Sequence, residues 1–299
     1  MASLYPLRGG WPFKNPPNCD FDINTNSSQA EWLGAWWPTL GMLGRRTIQD
    51  RSGRGSYGTL YLDAAIQPTA TVGAGLFLDG AGDYVDYGSP PVLDNLHYGG
   101  FTLTFWRNFT ANDAVERRIF SKRDPGLGWM VFQNRIGTQY LTFQVEGATT
   151  DGKAQTTAGI LPVSTWFFVA CRYDDNGDRI PDIFLNGLEA SYATHTATVD
   201  AVGSDAALNF QSLANTDGGL ADIRVYNRFL PDAKIAAMYA PETRWDLYRP
   251  RVPQWSIPFV AIAGSPSASE SASESASESA SESASGSASI SSSASESAS

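Results

Sequence analysis

The chain has little of what most catalytic and metal centres are built from. Its 299 residues include two cysteines and two histidines. Glutamate is thin as well: before residue 264 there are only Glu31, Glu116, Glu146, Glu189 and Glu242. Neither Cys19 nor Cys171 has a Cys or His close by in sequence, so no zinc-type spacing exists. Cys171 lies in the apolar run 166–173, where a buried free thiol is expected; a disulfide to Cys19 is the alternative. A Ser-His-Asp arrangement needs a histidine base. His97 falls in the loop 95–100, and His195, between Thr194 and Thr196, reads as part of an exposed strand edge. Neither neighbours a Gly-x-Ser-x-Gly turn, which is absent. Glycoside-cleaving sandwiches need paired carboxylates, and no Glu-x-Asp-x-x-Glu run occurs. Glycine loops followed by a phosphate-binding lysine are missing too. The expectation is a protein that is not an enzyme.

Positive charge is also short. Lys and Arg number 21 against 31 Asp and Glu, a net −10. Phosphate backbones call for clustered Lys and Arg, so nucleic acid is excluded as a partner. Five of the glutamates follow residue 264, which leaves the body with 21 positive and 26 negative groups, net −5. Long apolar runs are missing: residues 257–263 fall far below the ~20 a membrane helix needs, so no membrane insertion is expected. Residues 1–17 are broken by Pro6, Pro12, Pro16 and Pro17 and carry no apolar signal core, so no secretory signal is expected.

What is present is strand chemistry. Tyr140-Leu141-Thr142-Phe143-Gln144-Val145 alternates, putting Leu141, Phe143 and Val145 on one face. Phe101-Thr102-Leu103-Thr104-Phe105 alternates likewise. Trp166-Phe167-Phe168-Val169-Ala170 is apolar on both faces and suits a central strand. Ile183-Phe184-Leu185 runs into Asn186-Gly187, a hairpin signal. Trp37, Trp106, Trp129 and Trp166 sit in such runs and read as core. One short helix is expected over 230–239, with Pro231 near its start and Ile235, Met238 and Tyr239 on its docking face. The fold class is therefore all-β: a two-sheet antiparallel sandwich with one short C-terminal helix and a disordered tail.

Composition divides the chain into a Pro-rich arm (1–30), the strand-rich body (31–240), a second Pro-rich arm (241–263) and a tail (264–299). The tail repeats Ser, Ala and Glu in a four-residue beat and holds too little apolar surface to fold. It reads as a spacer, a glycosylated stalk, a contact arm or an inert extension. Trp11, Trp245 and Trp255 can pack the arms onto the body. Asp174-Asp175-Asn176-Gly177-Asp178 is either an oxygen-rich calcium loop or a polar hairpin loop; it lacks the distal glutamate of an EF-hand. Asp124 and the Asn215-Thr216-Asp217 run offer further hard oxygen donors from loops between strands.

Several of these runs, in order, resemble the laminin-G-like jelly-roll domain of the concanavalin-like lectin and glucanase superfamily. Trp37, Asp50-Arg51-Ser52-Gly53 and Tyr57-Gly58-Thr59-Leu60 resemble its opening, and Leu78-Asp79-Gly80-Ala81-Gly82-Asp83-Tyr84-Val85-Asp86 its early strand pair. Phe101 to Trp106, Ile119-Phe120-Ser121-Lys122 and the 166–187 hairpin follow. Gly219-Leu220-Ala221-Asp222-Ile223-Arg224-Val225-Tyr226-Asn227-Arg228 is the most specific stretch. The resemblance implies two facing antiparallel sheets that bind glycans or protein surfaces, with calcium at one end of the sandwich. In the pentraxin branch it implies calcium ligands from the two loops that here hold Asp124 and Asn215/Asp217, although the second loop has only one Asp. The arms Leu4 to Pro12 and Trp245 to Arg251 are similar to those around such domains in phage-encoded and prophage-like proteins. The expected setting is a virion or extracellular surface, as a decoration or tail/fibre-associated component. The expected partners are a surface glycan or virion protein subunits, in a homo-oligomer or a capsid/tail assembly, with a stand-alone cellular lectin or adhesion module, or else a glycoside-cleaving enzyme, as the alternatives.

Overall fold

Short alternating segments punctuated by glycine, proline and Asx residues form strands, and the described residues of the computed structural model hold nineteen of them. It describes residues 15–17, 20–109, 116–134, 139–213 and 216–251; Cys19, Asn215, Trp11, Trp255 and the tail 264–299 lie outside the described residues. The first strands are β1 (Phe21–Ile23), β2 (Leu33–Trp37), β3 (Thr47–Ile48), β4 (Gly58–Tyr61), β5 (Ala65–Thr69), β6 (Gly73–Asp79) and β7 (Tyr84–Asp86). There follow β8 (Phe101–Asn108), β9 (Arg117–Asp124), β10 (Leu127–Asn134), β11 (Tyr140–Val145), β12 (Gly152–Thr156) and β13 (Phe167–Tyr173). The last are β14 (Asp182–Leu185), β15 (Leu188–Glu189), β16 (Tyr192–Thr196), β17 (Gln211–Ser212), β18 (Asp217–Tyr226), the helix α1 (Asp232–Tyr239) and β19 (Tyr248–Pro250).

Nine strands form one sheet in the order β16-β12-β11-β10-β9-β17-β7-β4-β3. A second sheet runs β15-β14-β13-β8-β18-β6-β5, and β2 pairs with the far half of β18. The two sheets face one another across an aromatic core. Phe101 and Phe105 of β8 meet Trp129 of β10 and Phe120 of β9, each pair with ring centroids 4.9 Å apart. Trp37 of β2 packs on Tyr87 and Phe210. Burying each such side chain contributes about 1.5–3 kcal/mol against leaving it in water. Every strand pair is antiparallel, and the architecture is the jelly-roll sandwich that the sequence implies. Cys171 is a buried free thiol, its pKa pushed up by burial.

The β14–β15 hairpin turns on Asn186 (φ 52°) and Gly187 (φ 82°), both in the left-handed region that this two-residue turn requires. Gly187 also lets α1 approach: a Cβ there would lie 3.2 Å from Ala236 Cα and Tyr239 Cβ. Pro231 supplies the helix start, and Ile235 and Met238 are buried beneath it.

The outer faces of the two sheets are treated differently. On the eight-stranded sheet, Thr102 and Thr104 point away from the core yet are fully buried. The flanking segments cover much of that face. β1 pairs with β19, and Trp245 and Tyr248 are 2% and 0% exposed. Trp36 packs edge-on to Tyr248 at 4.8 Å. Beneath them Asp222 takes a positive φ (48°) at a bulge in β18, a conformation Asp tolerates better than most residues. Its carboxylate accepts from Trp36 Nε1 (2.8 Å), the Tyr248 hydroxyl (2.8 Å) and Arg224 Nη2 (2.6 Å). Arg224 Nη1 donates to Gln29 Oε1 at 2.6 Å. Packed residues thus extend on both sides of the 31–240 body. Burial is the largest single influence and opposes the Arg224 charge, but Asp222, Tyr226 and Tyr248 together outweigh it and the guanidinium pKa rises.

Candidate functional site

The outer face of the nine-stranded sheet is partly open to water, although Met130, Phe132 and Thr142 near its middle are buried. Its inward set is Leu60, Val85, Phe120, Val131, Phe143 and Ala154, all 4% exposed or less. The alternate positions face outward. Strand register aligns eight of them in one row across the sheet: Thr59, Asp86, Gln211, Ser121, Met130, Gln144, Lys153 and Thr196. Seven of the eight are polar, and at roughly 4.8 Å per strand the row is about 34 Å long. It is a strip of hydroxyl, amide and charged groups suited to an elongated polar ligand.

Aromatic surface flanks one end of the row. Tyr61 of β4 and Tyr84 of β7 are register partners, with rings parallel to within 4° and centroids 4.4 Å apart. Tyr61 is 39% exposed. Next to them, Asp86 accepts from Asn209 Nδ2 (3.0 Å) and from the Gly88 amide (2.8 Å). At the other end, Gln144 Nε2 donates to Glu146 Oε1 and Asp151 Oδ2, both at 2.8 Å, and Arg123 Nε donates to Glu146 Oε1. Glu146 is 3% exposed and committed to these partners, so it is not presented to a ligand as a proton donor or nucleophile.

Beside Tyr84, Asp79 and Asp83 of the β6–β7 turn and Asp63 of the β4–β5 turn bring carboxylate oxygens within 4.8 Å of one another. Burial, then a hydrogen bond shared with Asp79, raises Asp83 to about 6. That hydrogen bond lowers Asp79.

Of the residues expected to hold calcium, Asp124 and Asp217 lie apart along β9, and Asn215 is outside the described residues. Asp124 is exposed at the end of β9, in the β9–β10 hairpin. Asp217 begins β18 and is buried, 3.8 Å from Arg107. Its neighbour Thr216 donates to the carbonyl of Arg118, near the start of β9. Six strand residues, about 20 Å, separate that point from Asp124. In the loop between β13 and β14, Asp174 and Asp178 accept the amides of Asn176 and Ile180. Those bonds fit the polar hairpin alternative, and the loop borders a cavity of about 220 Å³.

The sequence reading passed over Tyr61, Tyr84, Asp86, Gln211 and Gln144. Their signal was in the alternation: Tyr61 is out of phase with Leu60, and Tyr84 and Asp86 with Val85, so all three had to face away from the core. What it could not supply was the register that lines them up.

Comparison with known proteins agrees with this architecture. A laminin-G family model described as concanavalin A-like lectin/glucanases superfamily matches residues 79–236, just over half of the chain. The chain belongs to this superfamily. The receptor-binding domain of botulinum neurotoxin mosaic serotype C/D is a structural neighbour of this superfamily member, with 16% identity and a TM-score of 0.54. The match covers 71% of this chain and 51% of that one. The binding domain of botulinum neurotoxin DC in complex with rat synaptotagmin II matches at 15% identity and TM-score 0.56, over 71% and 52%. A botulinum neurotoxin type C structure, described by its interaction with two ganglioside molecules, matches at 13% and 0.56, over 70% and 51%. The chain spans about half the length of these neighbours, and at such identities the likeness is one of fold. No curated protein matches the sequence.

Proposed function

We infer that this protein is a non-enzymatic binding module that takes a glycan on the outer face of its nine-stranded sheet. The observation that carries the reading is the polar row from Thr59 to Thr196, flanked by the stacked Tyr61–Tyr84 pair. Sugars offer hydroxyls to planar amide and carboxylate groups and apolar C–H faces to aromatic rings, and this surface has both. Neighbours described by ganglioside and synaptotagmin binding support recognition of a glycan or a protein surface.

The setting we propose is a virion or extracellular surface, as a decoration or tail/fibre-associated component. It is supported by the resemblance of both arms to those of phage-encoded proteins. In that setting neighbouring subunits would dock against the arms, leaving the polar sheet face for the glycan. A glycan panel probed with the full chain tests the reading. Binding of one oligosaccharide class, weakened in Tyr61→Ala and Gln211→Ala, supports it. Absence of glycan binding, or binding indifferent to both substitutions, overturns it.

A further inference from the structure

Away from that face, at the lateral edge of the sandwich, three side chains from three strands converge. Asp182 opens β14, Glu189 closes β15 and His195 lies in β16. Each offers a ligand atom, and the three atoms lie within 4.8 Å of one another. His195 Nε2 is 3.1 Å from Asp182 Oδ1 and 2.9 Å from the Pro181 carbonyl oxygen. Two acceptors thus converge on one imidazole nitrogen, and a Glu189 carboxylate oxygen lies within 4.8 Å of a ring nitrogen.

The surroundings hold this geometry in place. The Tyr192 ring stacks on the imidazole at 3.9 Å and 18°. The Tyr192 hydroxyl is itself fixed, accepting from the Ile183 amide and donating to its carbonyl. Arg172 Nε binds the other oxygen of Asp182, Oδ2, at 2.9 Å, leaving Oδ1 turned to His195. Arg172 Nη1 also bonds Asp232 at 2.6 Å. Counting Arg172 against Asp182, Glu189 and Asp232 leaves two uncompensated negative charges among these four groups.

The geometry points to a divalent transition-metal site, of zinc type, formed by Asp182, Glu189 and His195. One imidazole with two carboxylates is a borderline donor set that suits Zn²⁺, whereas Ca²⁺ and Mg²⁺ favour oxygen alone. Arg172 and Tyr192 orient the ligands through their far sides, as outer partners do around metal-binding residues. Because β14 and β15 belong to one sheet and β16 to the other, the ion would tie the two sheets together at this edge of the sandwich.

The test is a Zn²⁺ titration of the full chain by calorimetry, paired with thermal unfolding with added zinc and with chelator. The expected result is one ion per chain, a chelator-reversible rise in Tm, and no comparable effect of Mg²⁺ or Ca²⁺. His195→Ala and Glu189→Gln lie at partly open positions and leave the fold intact. Each is expected to weaken zinc binding at least about tenfold, the lower end of losses seen on disturbing metal sites, and to remove the Tm rise. No saturable zinc binding overturns the proposal. So does zinc binding of unchanged affinity in His195→Ala, which would place the ion elsewhere.

Discussion

The two outer faces of this sandwich solve opposite problems. The face of the eight-stranded sheet is closed over by the segments on either side of the body, and its charges are sealed in pairs. The corresponding face of the nine-stranded sheet keeps most of its polar side chains at least partly in water. The difference shows that polar residues alone do not mark a binding surface. Asp222 and Arg224 are as polar as Asp86 and Lys153, but every donor and acceptor of the first pair is already engaged within the protein. A ligand can use only groups that solvent can reach.

This contrast can be broken experimentally. The largest effect is expected at Arg224→Ala, which strands Asp222 without its charge partner beneath Trp36 and Tyr248. Removing one member of a buried pair costs about 3–5 kcal/mol, read by denaturant unfolding. A loss under ~1 kcal/mol would mean that water reaches this face after all.

Next in size is the titration of the turn beside the open face. Asp83 has a folded-state pKa of about 6, above its unfolded value. The native state therefore holds this proton more tightly, and the contribution of Asp83 to stability falls as pH rises from about 4 to about 6, then stays level. Asp83→Asn removes this dependence. Its stability relative to the parent should improve by up to about 3 kcal/mol between pH 4 and pH 7. Parallel pH profiles for the two proteins would rule this out.

Third, Tyr61→Ala combined with Tyr84→Ala should leave stability within about 1 kcal/mol while lowering glycan affinity roughly tenfold, the scale of aromatic stacking contributions. A large stability loss with unchanged affinity would make the pair structural. Smallest of all, Asp124→Ala should shift stability by less than about 0.5 kcal/mol, equally with calcium and with chelator. A calcium-dependent shift that Asp124→Ala abolishes would restore the hairpin end as a metal site.

The strands of both sheets were legible because alternation is a local signal. Leu141, Phe143 and Val145 share a face whatever they pair with, and Asn186-Gly187 announces its turn. The covered face was not legible in the same way. Trp36 meets Asp222 across 186 residues of sequence, and nothing near either residue reports the other. The open row failed for a related reason: each member was visible as an outward position, but their alignment is set by seven separate pairings. Asp124 and Asp217 show the converse hazard. Two loops matched to one family's ligand positions are here held apart by the length of a strand.

The pairing of β1 with β19 has a mechanical consequence. The Arg251 amide bonds the Asp20 carbonyl at 2.8 Å, so the chain enters and leaves this pair side by side. A load pulling the two flanks apart would open those hydrogen bonds one after another from that end, as a zip opens. Two strands sheared along their length would instead break their bonds together. The flanks would therefore peel at low force, and the force would be spent there before it reached the sheets that carry the polar row.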